Sequence, residues 1–89
     1  MKEEWSVVLT ETEILGGVDE SPTVSIVNFS KINKAKDFMR KSFTTVCSNI
    51  VGLCYAKYDE NTMTAKILGE CTVVTIGVRQ ADAGAEEGV

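Results

Sequence analysis

Five of the nine basic residues, Lys31, Lys34, Lys36, Arg40 and Lys41, fall within one short stretch, where Asp37 is the single acid and Phe38 stands at the centre. Cations gathered around one aromatic side chain suit an acidic protein surface, and by stacking they also suit single-stranded nucleic acid. On a helix, Lys31, Lys34, Phe38 and Lys41 would share one flank, and Arg40 adds to the same concentration of basic charge. That makes Lys31, Lys34, Phe38, Arg40 and Lys41 the candidate partner-binding residues. The plainer alternative is that Phe38 covers a sheet edge and the lysines form a solvated face.

The same stretch admits a second chemistry. Lys31, Lys34 and Lys36 would stand at the positive end of the helix dipole, where a cation carries a small electrostatic penalty. Free N–H groups and ammonium groups together at that end could hold an anion, although no glycine-rich phosphate loop precedes them. The competing expectation is local neutralisation by Asp19, Glu20, Asp59 or Glu60 from nearby loops, with Asp37 pairing to Arg40 and Lys41.

Other chemistries find no support. The chain has 89 residues, three cysteines and no histidine, so no serine, threonine or cysteine has the base that a Ser–His or Cys–His hydrolase requires. Cys47, Cys54 and Cys71 lack CxxC spacing, which argues against a zinc site or a redox dithiol; they read as reduced cysteines at core or sheet positions. The carboxylate pairs Glu3/Glu4, Asp59/Glu60 and Glu86/Glu87 sit at termini or in a turn, away from any cleft that would shift a pKa. We therefore expect no enzymatic activity, no catalytic residue, no metal and no cofactor.

A net charge of −4 disfavours general nucleic-acid binding. The uneven spread of charge predicts a bipolar molecule. Met1 to Trp5 carries acid where an export signal would have basic and apolar residues, and no apolar run approaches the ~20 residues of a membrane span. The expectation is a cytoplasmic protein without membrane association.

The elements that must position the basic cluster follow from periodicity. Ile32, Ala35, Met39, Phe43, Val46, Cys47 and Ile50 recur at helical spacing, which predicts one helix over about 31–49, capped by the Ser30 hydroxyl. Before it, Trp5–Thr10, with Glu11 to Leu15 as its prolongation, and Thr23–Phe29 read as strands separated by turn chemistry at Gly16, Gly17 and Pro22. After it, 51–58, 62–68 and 71–79 read as three more. Strands grouped on either side of one helix predict an α+β two-layer sandwich, with a mostly antiparallel sheet of about five strands and the helix on one face. Residues 1–79 form one domain and 80–89 a disordered acidic tail. Neither Trp5–Thr10 nor Cys71–Val78 carries a proline or inward charge to guard an edge, so a homodimer through a sheet edge is expected.

The segment Phe29-Ser30-Lys31-Ile32-Asn33-Lys34-Ala35-Lys36-Asp37-Phe38-Met39, followed by Tyr58-Asp59-Glu60-Asn61 and a closing strand, resembles a loose group of small uncharacterised proteins of Firmicutes, their phages and mobile elements. The final strand here lacks the aromatic residues of that group. The resemblance implies an accessory protein and transfers no site residue. Together the readings favour a non-enzymatic protein-binding or modulator protein with an acidic partner. The alternatives are a small anion or nucleotide binder, or a structural homo-oligomer subunit.

Overall fold

A computed structural model describes residues 4–15, 18–19 and 21–81. In chain order the elements are β1 (Glu4–Leu15), β2 (Val18–Asp19), β3 (Thr23–Phe29), α1 (Ile32–Asn49), β4 (Tyr55–Asp59), β5 (Thr64–Leu68) and β6 (Thr72–Ala81). Every pairing is antiparallel and the lateral order is β3-β1-β6-β5-β4, with β2 continuing the β3 lane along the far end of β1. One helix on one face of this sheet makes the α+β two-layer sandwich that the periodicities predict.

The pairing of β1 with β6 is the spine of the sheet, running in unbroken register from Glu4↔Ala81 to Glu13↔Thr72. On its other side β1 meets β3 from Trp5↔Phe29 to Glu11↔Thr23 and then β2 at Ile14↔Asp19. Between those two registers the returning chain has one residue more than β1, so the pairing is offset where Pro22 cannot donate to the ladder.

Because side chains alternate across a strand, the odd positions of β1 and the even positions of β6 share the helix side. Val7, Val74, Ile76 and Val78 are buried there with Ala65 and Ile67 of β5, beneath Ala35 and Met39 of the helix. Phe43, Val46, Cys47 and Ile50 pack half-buried around them. Each large aliphatic side chain so buried contributes about 1.5–3 kcal/mol, enough in sum to hold a short helix that has little capping.

Several expectations are corrected. Ser30 does not cap the helix: Lys31 occupies the N-cap position in an extended conformation, with no side-chain cap bond and no acid in the first turn. Trp5–Thr10 and Cys71–Val78 are not edges, since β1 and β6 are interior and pair with each other; the edges are β3 and β4. Only Cys47 packs at the core, whereas Cys54 and Cys71 are exposed, and all three are free. The last strand runs past Arg79 through Gln80 to Ala81. The remainder of the expected tail, residues 82–89, lies outside the described residues, as do the turn glycines Gly16 and Gly17.

Two turns explain local residue choices. Gly52 takes φ +65°, and a Cβ there would lie 2.9 Å from Glu70 Cβ, so glycine fits both the backbone and the contact. At the β4–β5 turn the Asp59 carboxylate accepts hydrogen bonds from the N–H groups of Asn61 (2.9 Å) and Thr62 (3.3 Å), an Asx-type turn.

Candidate functional site

Phe38 lies on the border between helix and sheet. It sits on the flank of α1 that faces β3, and its ring lies 5.3 Å from that of Phe29, tilted by 46°. Phe29 is in register with Trp5 on the helix side of the sheet, so the pair closes the core at its outermost strand. Phe38 is still 36% exposed. The plainer expectation, that it covers a sheet edge, thus describes its packing, while part of its face remains open to solvent. On the opposite flank Phe43 meets Tyr58 of β4 at 5.3 Å.

The structure divides the five candidate residues. Lys31, Lys34 and Lys41 lie seven and four positions before Phe38 and three after it, on its flank of the helix. Arg40 is about 200° of helix rotation from Phe38 and belongs to the other flank. Arg40 and Lys41 both pair with Asp37, the latter at 3.2 Å. Lys41, with Arg40 adding to it, holds the Asp37 carboxyl below its ordinary value. Lys31 and Lys34 make no ion pair with a described carboxylate. The expected neutralisation from nearby loops is not made by Asp59, whose carboxylate serves its own turn, nor by Glu60, which makes no ion pair with a described cation; the side chains of Asp19 and Glu20 lie outside the described residues.

The feature that sequence reading missed is that the strand beside this flank, β3, is an edge of the sheet. Thr23 to Asn28 of β3 are all exposed, with Val24 at 53% and Ile26 at 54%. No charge and no proline falls within Thr23–Phe29. One row of its backbone N–H and C=O groups points away from β1, and no described strand receives it. The opposite edge differs, for β4 is shorter and carries Lys57. Alternation of exposed apolar and small polar residues was visible in the sequence, but which strands become edges is a property of the sheet order.

Charge varies along the β3 edge. Glu11 and Glu13 of β1 border a small polar recess with Ser21 and Thr23 at one end, while Lys31 and Lys34 follow Phe29 at the other. Among the described residues there is no cluster of three metal-ligating side chains, and no helix is long and apolar enough to cross a membrane. No protein-family model, curated protein or solved structure matches the chain.

Proposed function

We propose that the protein is a non-enzymatic binding module that receives an extended segment of a partner protein along the outer edge of β3. The supporting observation is a seven-residue edge without charge or proline, set beside a half-exposed Phe38 and two lysines with no described counter-ion. Main-chain hydrogen bonds to the free edge supply affinity, and alternate side chains of the added strand supply specificity. On the helix side the added strand passes Val27 and Phe38, which favours an apolar residue. Near Phe29 it passes Lys31 and Lys34, which favours acid, whereas Glu11 and Glu13 disfavour acid at the Thr23 end. Lys41 and Arg40, tied to Asp37, serve as a weaker outer rim.

A heptapeptide of alternating valine and threonine, ending in two glutamates, tests this reading against the same peptide ending in two lysines. The glutamate peptide should bind more tightly, weaken in salt, lose affinity on Lys34→Glu and fail to bind Ile26→Lys. Equal binding of both peptides, or binding that Ile26→Lys leaves unchanged, would refute it.

A second copy of the chain is the other occupant favoured by a specific observation. A two-fold antiparallel pairing of β3 with β3 places Glu11 and Glu13 of one protomer beside the lysine end of its partner, so the charge gradient along the edge is self-complementary. Light scattering distinguishes the two: a dimer of the wild type that Ile26→Lys dissociates supports self-pairing, and a monomer at all concentrations leaves the edge to a foreign segment.

A further inference from the structure

The sheet face opposite the helix carries a different arrangement, independent of the β3 edge. Its side chains come from the even positions of β1 and β5 and the odd positions of β4 and β6. Register places Thr10 beside Thr75, Thr75 beside Lys66, and Lys66 beside Lys57, so two hydroxyls and two ammonium groups form one row across four strands. Like charges directly opposite each other on neighbouring strands destabilise a sheet. Neither lysine makes an ion pair with a described carboxylate. Asp59 stands in the adjoining row opposite Thr64, engaged with backbone N–H groups of its turn.

Next to that row the face is hollow. Gly77 lies between Val8 and Thr64 in the register, and a Cβ built on it meets nothing within 4 Å. Glycine inside a strand weakens it relative to alanine, and it often marks a place where a ligand or another backbone approaches closely. A Cβ would fit here without meeting any atom, so crowding at that position does not account for the glycine. These residues line an open recess of about 510 Å³, within the range of small-molecule sites.

We infer that this groove binds a small phosphate monoester with a flat organic body. The phosphate lies over Lys66, between Lys57 and Thr75 on the neighbouring strands, where it relieves the lysine pair, and the body rests on the bare backbone at Gly77 and on Val8. A phosphate exceeds a carboxylate in both charge and acceptor oxygens, which suits two ammonium groups flanked by a hydroxyl.

Phenyl phosphate is the probe, with inorganic phosphate and phenol as its two halves. In amide-resolved NMR titration it should move the signals of Thr75 to Val78 and of Lys57 and Lys66, and bind more tightly than either half. Gly77→Val should keep the native spectrum and weaken binding at least about tenfold, and Lys66→Gln should do the same, as expected for loss of one charge-assisted contact. No shift at those amides, or shifts that persist unchanged in both variants, would overturn the inference; a shift of equal size with inorganic phosphate alone would remove the role of Gly77.

Discussion

Phe38 of the helix and Phe29 of the outermost long strand stand 5.3 Å apart at a tilt of 46°, and this contact ties the only described helix to the edge of the sheet. The helix otherwise lies over the interior strands through Ala35 and Met39, which are almost fully buried. Phe38 thus belongs to the border of the core, with one side packed and the other in solvent.

Border and core should separate in stability. Met39→Ala removes a side chain that is 1% exposed and should cost about 2–5 kcal/mol. Phe38→Ala loses the ring pair and part of a burial, about 1–3 kcal/mol by the usual range for partial truncation, and Lys34→Ala should be nearly silent. Urea unfolding measures all three. A Phe38→Ala cost equal to that of Met39→Ala would place the ring in the core and remove it from the binding surface.

The two contrasting glycines give a second comparison. Gly52→Ala forces a side chain onto φ +65° and into contact with Glu70 at 2.9 Å, which should cost about 1–3 kcal/mol. Gly77→Ala meets open space and should be neutral or stabilising by up to about 1 kcal/mol. Thermal unfolding that ranks them the other way would contradict the loop packing described.

The fold was legible because its determinants are local. The spacing of Ala35, Met39, Phe43 and Val46 marked the helix, and the alternation of Val74, Ile76 and Val78 marked the last strand. The helix bounds were legible, but the cap was not, because Ser30 has the right chemistry one position too early; the chain leaves β3 through an extended Lys31, and tertiary packing rather than a cap sets the boundary. The edges were missed for a different reason. Whether β1 lies inside or outside the sheet depends on its pairing with β6, some seventy residues later, and nothing in either segment records the partner. The same gap hid the candidate surfaces, since Ile26, Gly77 and Lys66 acquire meaning only from their neighbours across strands. Of the basic cluster, the sequence located the residues and their helical flank, but the capture of Arg40 and Lys41 by Asp37 is visible only in the structure.

Asp37 sets a pH dependence with a definite sign. Its carboxyl is held low, first by Lys41 and further by Arg40, so its contribution is present above the ordinary carboxylate value and is lost as pH falls through the lowered one. Wild type should therefore exceed Asp37→Asn in urea midpoint by a small margin near neutrality, less in high salt, and the two should converge in acid. A difference that persists in acid would mean that Asp37 acts through something other than these cations.

Ile26→Lys is the sharpest test of the β3 edge short of a complex. Ile26 is 54% exposed, so the substitution should leave stability within about 0.5 kcal/mol, the usual range for surface changes, while a charge on an edge strand blocks pairing. Unfolding by this substitution would show that the edge is a structural element already committed within the chain.

Backbone hydrogen exchange along Thr23–Phe29, with and without the glutamate-ended peptide and across protein concentration, tests strand addition most directly. Alternate residues of an edge strand direct their N–H groups outward, so pairing with a peptide or a second copy should slow every second amide of β3 and leave those bonded to β1 unchanged. Exchange that shows no such two-residue alternation under either condition would contradict the assignment of β3 as the working surface.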